Sequence, residues 1–429
     1  MIRYTLIPLL LVISPTLTGQ NTYTLEQCWQ LASDHYPMKQ QTTLAADASA
    51  LKISNLNKNF LPQINMNGSA TLQSDVTEVN IELPKGLPEL AMPTISKDWY
   101  KLTLDVNQAI YDGRVTNYQK QVESLTLQTD QKNIEVELYK LRERVNQFYF
   151  SILLIDQQEK LLISNAERIR SKIIEVKSAI AQGSMMEMNG DILNAELIRV
   201  EQQMTEVAHD RATLCKMLSE LTGTAISADA RFILPEVQVF PESYRNLRLE
   251  NQLFDLQKSR LEVMKNMVTT KWNPKVYAFG QAGYGRPGLN MLDNNFKPWG
   301  IIGAKVTWNP WNWNINKNEK QILAIQSEIV RSNQETFDKN LRINAEKELG
   351  EMNKIAGLLE QDRQIIDLRS KIARAASSQL DNGVITSSDY IARLNEETQA
   401  KLNHEIHQLQ LVRAKVAYLY TLGENLSKK

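Results

Sequence analysis

The chain has 429 residues, with 49 basic and 49 acidic side chains, so its formal net charge is zero. That balance removes the electrostatic drive toward nucleic acid. The two cysteines, Cys28 and Cys215, lie in no metal or redox spacing and read as buried free thiols or as one disulfide.

In chain order, Arg3, an apolar run from Leu6 to Ile13 and the small-residue stretch from Thr16 to Gly19 read as a secretory signal peptide over residues 1–19. No later stretch approaches the roughly 20 apolar residues of a membrane-spanning helix, so any membrane crossing must be made by strands. A helix is expected over about 24–59. Then Gln63, Asn65, Asn67, Ser69, Thr71 and Gln73 alternate with Ile64, Met66, Gly68, Ala70 and Leu72, which is the period of a two-faced strand, about 62–74. A loop with Pro84, Pro88 and Pro93 leads to a second strand, about 99–110, where Tyr100, Leu102, Leu104 and Val106 alternate with polar residues.

From Arg114 to Gln182 there is neither Gly nor Pro. The apolar positions Ile134, Leu138, Leu141, Val145, Phe148, Ile152, Ile155, Leu162, Ala166, Ile169, Ile173, Val176 and Ile180 recur at alternating spacings of four and three, interrupted at Glu159. Such a run predicts a coiled-coil helix over about 114–182, roughly 100 Å long. A turn at Gly183 and Ser184 and a helix from Met185 to Thr222 follow. Residues 224–240 read as a connector. The pattern then recurs: a helix over about 241–271, strands at about 274–285 and 299–310, a long helix at about 315–381, a turn at Gly383 and a helix from Ser387 to Leu422. In this second long helix Arg363, Ser370 and Ser377 are expected at the seam, which should be looser and more polar.

The recurrence is an internal duplication. Trp99, Tyr111, Gly183 and Gly223 are matched by Trp299, Trp311, Gly383 and Gly423, each 200 residues on. Residues 20–223 form the first repeat and residues 241–429 the second. The fold class is mostly α with a small β part. Four strands cannot close a barrel; two copies would give eight and three copies twelve, the larger leaving room for a polar channel. A pair of hairpins in a sandwich is the alternative reading of the strands. Against it, Trp99, Tyr100, Tyr284, Trp299, Trp308, Trp311 and Trp313 gather at strand ends, as an aromatic belt does at a membrane interface. On the barrel reading Ile64, Met66, Leu72, Leu102, Leu104, Val106, Ile302 and Val306 face lipid.

Several segments carry a family resemblance: Leu61-Pro62-Gln63 entering the first strand, Ile110-Tyr111-Asp112-Gly113-Arg114 leaving the second, and Gly383-Val384-Ile385-Thr386-Ser387-Ser388-Asp389. With the signal peptide and the repeat, they resemble the TolC-type outer-membrane efflux proteins. The resemblance implies a homotrimer with a shared 12-stranded barrel in outer-membrane lipid and a helical tunnel across the periplasm of a Gram-negative cell. It also implies an inner-membrane transporter and a periplasmic membrane-fusion adaptor as partners, the adaptor meeting Gly183, Ser184, Gly383, Val384, Ile385 and Thr386 at the helical tips. Asp389 is the one tip carboxylate carried over as a constriction, because the first-repeat equivalent is Asn189 and the residue three further on is Ala392. As a first-turn acid it would equally serve the helix dipole.

Other features give little chemistry. Gly283-Tyr284-Gly285-Arg286-Pro287-Gly288 fits a dinucleotide fingerprint but precedes no helix, and reads as the outward loop of a hairpin. Met185, Met186 and Met188 read as adaptable packing near the tip, with a soft metal as the alternative. His404 and His407, three apart with no third ligand in sequence, read as solvent-facing. No cofactor, metal or catalytic residue is expected. The reading is a passive conduit and not an enzyme; the alternative is a non-conducting periplasmic coiled-coil scaffold or adaptor.

Overall fold

The computed structural model describes residues 22–77, 95–239 and 245–426. The expected signal peptide and the loop with Pro84, Pro88 and Pro93 lie outside the described residues.

A short strand, β1 (Thr22–Tyr23), leads into α1 (Leu25–His35), whose start is fixed by a capping box between Thr24 and Gln27. Leu25, Cys28, Trp29 and Ala32 fall on one face of α1 and are buried. The helix stops at Tyr36, which is extended because a residue before proline avoids the helical region. The single helix expected over 24–59 is therefore two, joined by a 3-10 turn at Pro37–Gln40 that leads into α2 (Gln41–Lys58).

Strands β2 (Gln63–Leu72) and β3 (Asp98–Tyr111) precede α3 (Val115–Ala181) and α4 (Glu187–Thr222). The connector holds β4 (Arg231–Phe232), which pairs in parallel with β1 and was not signalled by the sequence pattern. Next come α5 (Leu249–Thr269), β5 (Lys275–Arg286), β6 (Lys297–Thr307), α6 (Ile315–Asp381) and α7 (Ser387–Leu422). Helix α5 starts eight residues after the expected Pro241: residues 245–248 are not helical, Leu247 N–H bonds the Leu422 carbonyl at 2.8 Å, and the Asn246 side chain accepts from Arg248 N–H. Helices α3 and α6 have 67 residues each, and α4 and α7 have 36 each.

The chain divides into two compact units that cut across the repeat. The first takes in β1, α1, α3 from Ile134, α4, β4, α6 from Phe337, and α7. Its core runs along the α3 stripe, where Val145, Ile152, Ala166, Ile169, Ile173 and Val176 are buried. One cluster surrounds Tyr149, whose hydroxyl lies 2.6 Å from the Ile233 carbonyl oxygen and accepts from the Ile233 N–H at 3.1 Å, tying the connector to α3. A second cluster joins Leu193 and Val200 of α4, Ala376 and Leu380 of α6, and Tyr390 and Leu394 of α7. The α6 stripe consists of Leu341, Ala345, Met352, Ile355, Ala373, Ala376 and Leu380. Arg363 does not belong to it: its side chain is 70% exposed, and Asp362 is the buried residue there. The 200-residue shift explains the correction, since it brings Asp362, not Arg363, into the phase of Leu162.

The second unit takes in α2, the early turns of α3, the four-stranded sheet, α5 and the early turns of α6. Leu261, Met264 and Val268 of α5, at helical spacing, pack with Leu323 and Val330 of α6. The sheet order is β2-β3-β5-β6, antiparallel throughout.

Candidate functional site

Strand register sorts the sheet into two chemically different faces. Ile64 sits opposite Val106, Met66 opposite Leu104 and Gly68 opposite Leu102. Leu104 sits opposite Ala282, Gly280 opposite Ile302 and Val276 opposite Val306. All eight residues assigned to lipid, including Leu72 at the end of β2, therefore share one face. Large apolar groups stand open on it, Ile302 at 91% and Leu72 at 83% of full exposure. An apolar face of this extent implies a covering partner that water cannot replace.

The opposite face carries Gln63, Asn65, Asn67, Ser69 and Thr71 of β2, with Lys101, Thr103, Asp105 and Asn107 of β3. Lys275 and Gln281 of β5 and Lys305 of β6 continue it. Asp105 anchors this face across three strands: the Asn67 side-chain amide donates to it at 2.7 Å, the Thr103 hydroxyl at 3.1 Å, and the Gln281 side-chain amide from the third strand. Both outer strands, β2 and β6, pair on one side only among the described residues.

Aromatic groups at the strand ends divide between the faces. Tyr100 and Tyr284 lie on the apolar face and pack on Phe296, with ring centroids 6.1 and 5.8 Å apart. Trp99 and Trp299 lie on the polar face, a correction to the single belt expected from sequence: their odd register positions pair them with Thr71 and Gly283. Trp299 lies so close over Gly283 that any β-carbon there would collide with its ring. Gly283 to Arg286 belong to β5, so only the residues after Arg286 form the loop expected for the whole glycine-rich segment. Trp308, Trp311 and Trp313 follow β6 and are all exposed, with Trp308 Nε1 donating to the Trp272 carbonyl at 3.0 Å.

The passage from strand to long helix is built alike in both repeats. Gly113 and Arg114 have φ of 76° and 73°, and Trp313 and Asn314 have 52° and 65°. The Asp112 carboxylate accepts from the backbone N–H of Arg114 at 2.9 Å and of Thr116 at 2.6 Å, satisfying two amides that the helix start leaves open.

At the far ends of the long helices, Gly183 and Gly383 adopt φ of 72° and 69°. Ser184 N–H reaches back to the Ala179 carbonyl and Val384 N–H to the Gln379 carbonyl, closing both helices with the same motif. Ile385 packs against the core beneath, while Val384 is exposed. Thr386 caps α7 through a box with Asp389: Asp389 N–H donates to the Thr386 hydroxyl at 3.2 Å, and Thr386 N–H donates to the Asp389 carboxylate at 3.1 Å. The Thr386 hydroxyl also donates to the carboxylate at 2.7 Å, and this bond first, then the Thr386 N–H, holds the Asp389 carboxyl below its ordinary range. Its counterpart Asn189 accepts from Ser387 N–H at 3.0 Å and so joins the two tip turns. Met186 and Met188 are exposed, and Met185 is half-buried against the core.

Below the tip, Glu397 is buried and accepts from Arg168 at 2.7 Å, Lys401 at 2.7 Å and Ser370 at 2.9 Å. Burial raises its carboxyl, but these donors outweigh burial and leave it below its ordinary value. The histidines are not solvent-facing. His407 Nδ1 lies 2.6 Å and His404 Nδ1 3.9 Å from one oxygen of the buried Asp362, with which they form a polar cluster between α6 and α7. Sequence reasoning missed it because the carboxylate comes from another helix. Among the described residues no group of three His, Cys, Asp or Glu is arranged to hold a metal ion. Cys28 and Cys215 are both buried and free, and burial pushes the Cys28 thiol up to about 12.

No protein-family model and no curated protein matches the chain in sequence. Solved structures do match in shape. CusC is 11% identical, with a TM-score of 0.68, covering 94% of this chain and 92% of that one. The outer membrane protein VceC from Vibrio cholerae is 11% identical, with a TM-score of 0.65 and coverage of 94% and 97%. The MtrE outer membrane channel of Neisseria gonorrhoeae is 13% identical, with a TM-score of 0.63 and coverage of 94% and 89%. The fold is that of the TolC-type outer-membrane channels.

Proposed function

We propose that a chain with this fold works as a passive conduit in the outer membrane of a Gram-negative cell, passing substrates delivered from the inner membrane. The observation that carries the reading is the open sheet: one face apolar and exposed, the other polar, and both edges unpaired among the described residues. Unpaired strand edges are tolerated in a bilayer only when a barrel closes. Three chains would supply twelve strands, with the apolar face toward lipid and the polar face toward the lumen.

The α helices would extend the conduit into the periplasm, where the turns at Gly183–Ser184 and Gly383–Thr386 would offer a surface to a membrane-fusion adaptor working with an inner-membrane transporter. In three copies Asp389 would form a ring of like charges at the constriction, which repel one another and favour cations there. Tyr100, Tyr284, Trp308 and Trp311 would sit at the headgroup levels. No step of the reading uses a cofactor or a catalytic group.

Extraction and reconstitution test it. The protein should leave the membrane fraction only with detergent, have the mass of a trimer, and give single-channel steps in planar bilayers. Release into aqueous buffer as a monomer would refute the conduit and favour a periplasmic scaffold.

A further inference from the structure

The charges on the polar face of the sheet are unequal. The four strands contain two carboxylates, Asp98 and Asp105. Asp98 lies at the end of the apolar face and is bonded to Arg286 there. Lys297, on the polar face, is neutralised by Asp293 four residues earlier. That leaves Lys101, Lys275 and Lys305 on the polar face, none with a carboxylate partner among the described residues, against the single carboxylate of Asp105.

Their placement sharpens the imbalance. Lys275 sits opposite Thr307 and Lys305 opposite Tyr277, so the two ammonium groups are diagonal neighbours on one face, a pairing that disfavours itself without a counterion. Lys101 lies 5.1 Å over the Trp99 ring, toward the other end of the strands. Asp105, between them, is satisfied by the neutral donors Asn67, Thr103 and Gln281 and neutralises none of the lysines.

We propose that this face selects for negatively charged solutes, with Lys101, Lys275 and Lys305 as the residues that set the preference and Asp105 as the one group opposing it. The inference rests on the conduit reading, in which the polar face lines the lumen. Three copies would place nine ammonium groups and three carboxylates around one water-filled space. At physiological salt each field reaches only about 8 Å, so the preference weakens as salt rises.

Reversal potentials in a KCl gradient across planar bilayers test it. With the cation-favouring ring at the constriction removed by Asp389→Ala, the pore should pass chloride in preference to potassium. In that background the triple change Lys101→Gln, Lys275→Gln, Lys305→Gln should remove most of the preference, and Asp105→Asn should increase it. Lys305→Gln alone, at an exposed position, should shift the ratio in the same direction as the triple variant and serves if the triple variant does not assemble. A cation-preferring Asp389→Ala pore, or lysine changes that leave its ratio where it stood, would overturn the assignment while leaving the conduit intact. A wild-type protein with no conductance steps would instead refute the conduit itself.

Discussion

Asp389 caps α7, and the constriction proposed for it would be a second role that can be tested apart from the first. Its carboxylate closes the capping box of α7, and the ring proposed for the assembled conduit uses the same negative charge. The Thr386 bonds depress its folded-state pKa, so its contribution to stability is present above the ordinary carboxylate pKa, about 3.9, and is lost as pH falls through the lower folded value. Asp389→Ala should therefore speed amide exchange across the first turn of α7 at neutral pH, with the difference from wild type fading in strong acid. In bilayers the same variant should raise conductance or change cation preference. Faster exchange with unaltered traces would remove the ring role and keep the cap. The sequence exposes Asp389 because a cap is local. It hides the bond between Asp362 and His407, because these residues lie 45 positions apart on separate helices.

At the scale of elements, the phase of a strand decides which residues would meet lipid in the proposed barrel. Leu104 and Thr103 are neighbours on β3 but face opposite sides. Leu104→Asp should block insertion far more than Thr103→Asp, since a charge on the lipid side of a strand costs about 2–4 kcal/mol at the bilayer midplane. Heat-modifiable migration of refolded protein would check this, and equal effects would mean the polar face does not line the lumen. Alternation in the sequence was enough to assign the eight apolar residues to one face. It was not enough for Trp99 and Trp299, which the strand-end clustering grouped with Tyr100 and Tyr284 although parity sets them on the other side. The α6 stripe lies one residue from Arg363 because Ile365, Leu368 and Ile372 nearby are exposed apolar residues off the buried stripe, so the local period does not fix its own phase.

At the scale of the whole molecule, the described residues leave apolar faces that they do not cover themselves. Ile315, Ile322, Ile325 and Ile329 of α6 are each more than half exposed, and they recur at the seven- and three-four spacing of a coiled-coil seam. Leu44 and Leu51 of α2, seven apart, are exposed in the same way. In the proposed trimer, neighbouring copies of the chain would cover such stripes. Ile322→Asp with Ile329→Asp should lower the trimer fraction in detergent without changing the helix content by circular dichroism. A trimer as stable as wild type would show that this stripe is not an assembly seam.

Sequence alone determined the duplication, the long helices, the strand alternation and the glycine turns, because each is written in local periodicity or in a backbone conformation that few residues adopt. It could not determine that Pro37 splits the first helix, that β1 pairs with β4, or that both repeats contribute to each compact unit. It also could not reveal that His407 bonds a buried aspartate with His404 beside it, or that three lysines lie on one face against a single carboxylate. These depend on which distant segments lie side by side, and only tertiary packing chooses that.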